Sequence, residues 1–452
     1  MSFETLHLWN RRWTARIPVF VLFFLATVAT FLLIGGYLTL RNYWTVPPAS
    51  SGDEPVYDSI GWELSQGNGY QLDFTNPEFR QPYDQADRQL TTSTRDDNVP
   101  DTVRPPLFPF VISWTNRLLG RQFWGVRLWN LLCISVSTGI TAVWLNRRAG
   151  LLSILLLIPL AAVVDVRTRL YSRAILTEAT SVLTVTLMTL ALLRLFEHVH
   201  RGELHAIYRW AFFSGICATL SLYTRSNILL WLPVIAISIG WSSFQKTQSQ
   251  RLRRAAMVVG LFVMTIAVGY APWAIRNIRV TGAFFPLGTQ GATQLSAAWG
   301  DEIWESRGIW NNLQAQGFFD KLDDEALPPM KHRVAQAQYS QSKARNWIVH
   351  HPTKSVLLIP LKIGQEFRPH HWSEAVILLL ATLGLWKMKP SPARRTFLTL
   401  ILAAAFGVGL TWSVEGRFLV PLLFVWHSLA VSGLVSCLGL NSGEELSSVT
   451  VN

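Results

Sequence analysis

Cysteine, charge and internal repetition are all scarce in this chain. Its three cysteines, Cys133, Cys217 and Cys437, each lie inside an apolar run. That excludes a disulfide framework or a zinc-type spacing and leaves them as small buried hydrophobes. No internal repeat or low-complexity linker is visible in the sequence. His350-His351 and His370-His371 lack ligand spacing with carboxylates, so a histidine metal site is not expected. The net charge of +12 comes without a basic patch interleaved with aromatics, which excludes nucleic acid as a partner. The first apolar run, behind Arg11, Arg12 and Arg16, is too long for a signal core and has no small-residue cleavage site. It reads as an uncleaved anchor.

What is abundant is apolar sequence: hydrophobic residues make up 50% of the 452 positions and charged ones 15%. They fall in blocks close to the roughly 20 residues a helix needs to cross a bilayer. Ten crossings are predicted, at 17–40, 123–145, 151–166, 175–196, 208–224, 226–243, 256–275, 374–389, 395–413 and 418–439. Two further stretches would make twelve: 105–119, broken by Asn116, and 353–367, interrupted by Pro360 and Lys362.

Cytoplasmic loops carry an excess of Lys and Arg. With ten crossings, Arg147-Arg148, the cluster from Lys246 to Arg254 and that from Lys387 to Arg395 all fall on the cytoplasmic side, with both termini. Both shorter stretches therefore read as helices lying along the outer surface or dipping in partway. The predicted fold is an all-α polytopic membrane protein. One domain spans 1–440, a polar cytoplasmic tail follows at 441–452, and two outer loops, about 41–122 and 276–373, carry juxtamembrane helices.

The first outer loop has eleven acidic residues between Asp53 and Asp101 against four arginines between Arg80 and Arg104. The second is rich in Trp, Gln and charge, and Ala335-Gln336-Ala337-Gln338 reads as helix. Asp53 and Glu54 open a segment in which Tyr57, Trp62 and Leu64 have helical spacing, as in a short amphipathic helix held against the membrane. A carboxylate fixed there can deprotonate an acceptor hydroxyl or help ligate a divalent cation. If a cation binds, Asp53 and Glu54 are its candidate ligands; no other cofactor is implied. The bland alternative is a solvated acidic pair.

Arg104, Arg169, Arg173, Glu178, Arg225, Arg276, Lys362 and Arg417 converge on the same face. Any one alone reads as an interfacial anchor. Glu178 and Arg225 stand apart, each in the first turn of an apolar helix, where an ionised group is costly unless paired or facing a polar cavity. Guanidinium forks suit the charge that develops on a phosphate leaving group. Arg104 also precedes two prolines, which fix its backbone. Trp62, Trp299, Trp304, Trp310 and Trp372 could stack on sugars, but tryptophan is enriched at every membrane interface, and anchoring is the stronger reading.

Taken in order, Asp53-Glu54-Pro55-Val56-Tyr57, Gly67-Asn68-Gly69-Tyr70 and Arg104-Pro105-Pro106-Leu107-Phe108-Pro109 are joined by Tyr171-Ser172-Arg173, Leu176-Thr177-Glu178 and Gly215 with Thr224-Arg225. Then come Ala271-Pro272-Trp273-Ala274-Ile275-Arg276-Asn277, His351-Pro352 with Lys362, and Arg417-Phe418-Leu419-Val420-Pro421. This series resembles the GT-C membrane glycosyltransferases, in the group of the dolichyl-phosphate-mannose–protein mannosyltransferases and lipid A aminoarabinose transferases.

The resemblance implies a GT-C-like helix bundle and an inverting transfer of a sugar from a polyprenyl-phosphate donor. The acceptor would be a lipid, glycan or protein on the non-cytoplasmic face. It implies Asp53 as base or acceptor-orienting carboxylate with Glu54 assisting, and Arg104, Arg276 and Arg417 as donor-phosphate contacts. Lys362 would be a further contact, and Tyr57, Tyr171, Arg173, Glu178 and Arg225 complete the substrate-binding set. The compact chain and short tails suggest a bacterial inner membrane.

The pattern has departures. An acidic insert fills 81–103, Phe418 stands where tyrosine is common, and Leu419 replaces a frequent second base. The outer loops are too short for a large appended domain, which disfavours an oligosaccharyltransferase. A transporter or flippase of lipid-linked substrates is the alternative, but it predicts paired interrupted helices in two halves, and none is visible. A third reading is a non-catalytic part of an envelope polysaccharide machine.

Overall fold

A computed structural model describes residues 17–90, 98–245, 251–322 and 327–438. The basic N-terminal segment, part of the Lys246 to Arg254 cluster and the 441–452 tail lie outside the described residues. The apolar run after Pro18 forms α1 (Val19–Leu40). The first outer loop then folds as α2 (Asp53–Gln66), α3 (Pro77–Gln85) and α4 (Leu107–Leu119), with a two-stranded antiparallel ribbon of Gln71–Leu72 on Val99–Pro100. The bundle continues through α5 (Phe123–Ala149), α6 (Leu151–Pro159), a π-turn at Leu160–Val164, α7 (Val166–Arg173), α8 (Glu178–Arg201), α9 (Leu204–Thr224), a 3-10 turn at Ser226–Trp231, α10 (Leu232–Gln245) and α11 (Arg251–Thr281). The second outer loop contains the short α12 (Gln290–Thr293) and α13 (Asp301–Glu305), the long α14 (Pro329–His350) and α15 (Pro352–Phe367). The chain closes with α16 (Trp372–Lys387), α17 (Pro392–Leu410), a 3-10 turn at Arg417–Leu422 and α18 (Leu423–Cys437).

Each of the ten predicted crossings coincides with a helix, and the chain is an all-α polytopic membrane protein. Among the described residues, seven helical segments are long and apolar enough to span a bilayer: α1, α5, α8, Ser226–Phe244, Leu252–Thr281, α17 and Arg417–Cys437. The broken pair Leu151–Val164 and Val166–Arg173, bent by 58°, would make an eighth. The other two predicted crossings differ in kind. α9 has 21 residues but carries Arg209 and buries Ser214, Thr219 and Ser221. α16 has only 16 residues, about 24 Å of helix against a hydrocarbon core of about 30 Å. α4, with 13 residues, and α15, with 16, are likewise too short to cross alone.

Between the predicted crossings 151–166 and 175–196 the chain forms the helix α7 rather than a bare connection. Asp165 starts it, its side chain accepting from the Arg167 backbone amide at 3.0 Å, so a carboxylate caps the exposed N–H groups after the π-turn. α2 also differs from the expectation of a helix resting on the membrane. Tyr57, Ile60 and Trp62 are buried within the protein, because α2 packs on α4. At Gly61 the helices approach so closely that a Cβ would sit 2.4 Å from Ile112 Cγ2.

The two outer loops fold onto one another. Arg276 at the end of α11 donates to the Asp101 carbonyl and, at 3.1 Å, to the Tyr70 carbonyl. The Thr289 amide reaches the Thr102 carbonyl at 2.8 Å, and Arg333 of α14 reaches the Pro100 carbonyl at 3.2 Å. The Ala335–Gln338 segment lies within α14, as its composition predicts.

Candidate functional site

Asp53 begins α2, and its two oxygens are divided between two arginines from distant parts of the chain. Arg104 Nη2 contacts Oδ1 at 2.7 Å, and Arg417 Nη1 contacts Oδ2 at 2.9 Å. Arg417 also donates through Nε to Glu178 Oε1, which accepts from Arg225 Nη1 at 2.8 Å as well. Arg104, Asp53, Arg417, Glu178 and Arg225 thus form one continuous chain, with three guanidiniums against two carboxylates. Tyr57, one turn along α2, lies under the Arg104 guanidinium at 5.3 Å from its ring centroid, and Phe418 does the same for Arg225 at 5.3 Å. These rings desolvate the cations from one side and favour the charge over a π-face.

Burial grades along the chain of charges. The Glu178 side chain is 0% exposed, while those of Asp53 and Arg417 are each 28% exposed. Within this cluster two buried polar atoms have no hydrogen-bond partner among the described residues, Glu178 Oε2 and Arg104 Nε. Burial by itself would raise the Asp53 pKa, but Arg104 and Arg417 outweigh it and hold the carboxyl well below the usual carboxylate range. Asp53 is therefore an anion whose basicity is quenched by its own neighbours.

Local structure explains how each group is held. Asp101 Oδ2 accepts from the Val103 and Arg104 amides at 3.0 and 2.7 Å, and the Tyr70 hydroxyl donates to the Arg104 carbonyl at 3.0 Å. In the amide orientation that satisfies both neighbours, Gln290 of the second loop accepts from Arg104 Nη1 at 2.9 Å. Arg417 follows a tight turn in which Glu415 and Gly416 both have positive φ, 56° and 88°. That turn is pinned by Glu366 of α15, which is fully buried. Its oxygens accept from the Phe418 amide at 2.7 Å, the Val414 amide at 2.8 Å and the Ser413 hydroxyl at 2.9 Å. The sequence reading missed Glu366; four residues after Lys362, it has the spacing of an ordinary helical surface pair.

The remaining predicted residues have other surroundings. Glu54 turns away from Asp53 and accepts from the Ala49 and Ile175 amides at 2.6 and 3.2 Å, tying the approach to α2 to the start of α8. Asp53 and Glu54 therefore do not converge, and a divalent cation at Asp53 would have to displace two guanidiniums. Among the described residues no group of three or more His, Cys, Asp or Glu is placed to hold a metal ion. Arg276 is engaged by backbone carbonyls and stacks on Tyr70 and Trp273 at 5.0 and 4.8 Å. Arg173 lies 4.5 Å over the Tyr43 ring, and Arg169 lies 5.6 Å over Tyr37. Tyr171 packs against Val182, Val420 and Leu423 beside the Glu178–Arg417 contact.

Lys362 is 0% exposed, with Nζ 3.6 Å above the Trp299 ring and 3.5 Å from the Gly409 carbonyl. Burial lowers its pKa to about 7. A second buried cluster also escaped the sequence reading. Asp165 pairs with Arg167 at 3.0 Å and with His427 Nε2 at 2.9 Å, joining the break before α7 to α18. Its one sequence signal is a histidine inside an apolar run.

No family model matches the chain, and none of the curated proteins matches it. Solved structures similar to it in shape include two of one protein. One is ArnT from Cupriavidus metallidurans bound to undecaprenyl phosphate, 14% identical, covering 91% of this chain and 76% of that one with a TM-score of 0.41. The other is the same protein in the apo state, 14% identical with the same coverage and a TM-score of 0.39.

Proposed function

We propose that this protein is a membrane glycosyltransferase that moves a sugar from a polyprenyl-phosphate carrier to a hydroxyl acceptor on the non-cytoplasmic face. The observation that carries this reading is Asp53 held between Arg104 and Arg417, with Glu178 and Arg225 behind them. The ordered motifs from Asp53 to Pro421 support it, since five of their charged members, Asp53, Arg104, Glu178, Arg225 and Arg417, meet in one chain of ion pairs.

In the reaction, the acceptor oxygen attacks the anomeric carbon from the face opposite the phosphate. The bond between that carbon and the phosphate oxygen breaks, the phosphate keeps the electron pair, and the configuration inverts. Arg104 and Arg417 take up the charge that grows on the phosphate oxygens, where preorganised donors matter most. Asp53 accepts the acceptor's proton. A carboxylate quenched by two guanidiniums is a poor base, and efficient proton transfer needs a pKa nearer the working pH. Donor phosphate supplies the remedy, because it draws the same guanidiniums to itself and raises the basicity of Asp53. Deprotonation then waits until the donor is in place. Glu178 keeps Arg417 and Arg225 oriented, and Glu54 fixes α2 through backbone amides. The bacterial inner membrane and an outward-facing site belong to this same reading.

The test is sugar transfer in proteoliposomes, with a panel of polyprenyl-phosphate sugars, comparing wild type with Asp53→Asn. Donor-phosphate binding is measured alongside. The variant is expected to lose turnover while binding donor phosphate at least as tightly, because its arginines no longer have a competing carboxylate. Full transfer by the variant removes Asp53 from the chemistry. Transport of an intact lipid-linked sugar without glycosyl transfer would favour the flippase alternative.

A further inference from the structure

At the other end of the bundle, far along α10 and α17 from the Asp53 cluster, lies a cavity of about 480 Å³. Its wall is apolar, formed by Val234, Ile237, Leu398 and Leu402, and Trp241 stands at its edge. Ile237 is 72% exposed, Trp241 61% and Leu402 59%, so this wall faces the surroundings of the bundle rather than another helix. The lining also holds two cations, Arg394 and Arg395 in the first turn of α17, with Ser391 as its cap, beside the neutral Ser238, Thr399 and Pro390. From Lys387 to Arg395 the sequence holds four bases and no acid.

Among the described residues no carboxylate pairs with Arg394 or Arg395, and Arg394 Nε is buried without a hydrogen-bond partner. Arg395 donates to a neutral partner, Ser242 Oγ, at 2.8 Å. The N-terminus of the 19-residue α17 adds its partial positive charge. An apolar groove open to the side and closed at one end by guanidiniums matches one kind of molecule, an anionic phospholipid. Its acyl chain would lie against Ile237 and Leu402 and its phosphate at Arg394 and Arg395.

We infer that this groove is a binding site for an anionic glycerophospholipid, distinct from the Asp53 centre and independent of the glycosyltransferase reading. Removing one arginine is expected to cost about fivefold in lipid affinity and removing both about 25-fold, from the attraction of a basic side chain to an anionic headgroup. The experiment uses the delipidated full chain and native mass spectrometry, titrating phosphatidylglycerol against phosphatidylcholine of the same chains. Wild type should retain phosphatidylglycerol preferentially, and R394Q/R395Q should lose that preference. Ile237→Trp fills the apolar wall while keeping both charges, and it should weaken retention of phosphatidylglycerol. Equal binding of the two lipids by wild type overturns the proposal. So does unchanged phosphatidylglycerol retention in both variants at a normal unfolding temperature.

Discussion

Asp53 and Asp58 lie five residues apart on the same helix and are used in opposite ways. Asp58 is 1% exposed and receives both arms of Arg121, at 2.6 and 2.7 Å, with the Tyr83 hydroxyl at 2.9 Å. The rings of Trp62, Phe79 and Phe123 each lie about 5 Å from that guanidinium. Asp58 is a closed pair, neutral as a unit and sealed by aromatics, and it locks α2 to α3 and the start of α5. Asp53 is 28% exposed and gives one oxygen to each of two arginines, which belong to a group of three guanidiniums and two carboxylates with excess positive charge. A carboxylate that only stabilises is matched by one fork and covered. One that meets a charged ligand is left open and over-supplied with cations.

The comparison predicts different failures. Asp53→Asn should lower turnover by about 10²–10⁴-fold, the usual worth of a positioned acid or base, with little change in unfolding temperature. Assays per folded molecule check this, and a variant that merely unfolds would erase the distinction. Asp58→Asn should do the reverse. It strands the buried Arg121 charge, at a cost of about 3–5 kcal/mol in stability, while the turnover of the remaining folded protein stays near wild type. Denaturant midpoints in detergent measure that loss, and a midpoint matching wild type would contradict the closed-pair reading.

Glu366→Gln tests whether the open site depends on a closed one. Glu366 accepts three hydrogen bonds from the turn that carries Arg417, and an amide would face a donor to at least one of them. Turnover is expected to fall roughly 10–100-fold through misplacement of Arg417. An unchanged rate would show that Arg417 is held without this turn.

The smallest effect concerns Lys362. Its pKa is lowered to about 7 in the folded protein and is near 10.5 in the unfolded chain. Below about pH 7 the lysine is charged in both states, and the cost of burying that charge is carried in full. Between about 7 and 10.5 the unfolded chain binds more protons than the folded one, so stability rises with pH. Lys362→Met should remove this slope and raise the unfolding temperature more at pH 6 than at pH 10. Parallel pH profiles for the two proteins would mean that the Trp299 face and the Gly409 carbonyl already compensate the charge.

The long apolar blocks made the helical membrane class legible from sequence, because a bilayer demands length and hydrophobicity and both are local properties. Asp53 stood out for a similar reason, as an acid pair opening a helical pattern beside the first span. The sequence set Asp53 and Glu54 to work together, but adjacent residues on a helix point about 100° apart, and only packing shows that Asp53 alone faces the arginines. Nor could it separate Arg276 from Arg104. Both follow the motif pattern, but one guanidinium is consumed by backbone carbonyls and the other reaches Asp53.

The sequence by itself determined the membrane-embedded all-helical class, the positions of the long apolar helices and the set of charged residues from which the site is drawn. Pairing was decided by tertiary structure alone: Arg417 is 364 positions from Asp53 in the chain yet shares its carboxylate. Hydrophobic length is written residue by residue, whereas the partner of a buried charge depends on how helices pack. That is why Asp58–Arg121, Asp165–His427 and Glu366 emerged only once the chain was folded.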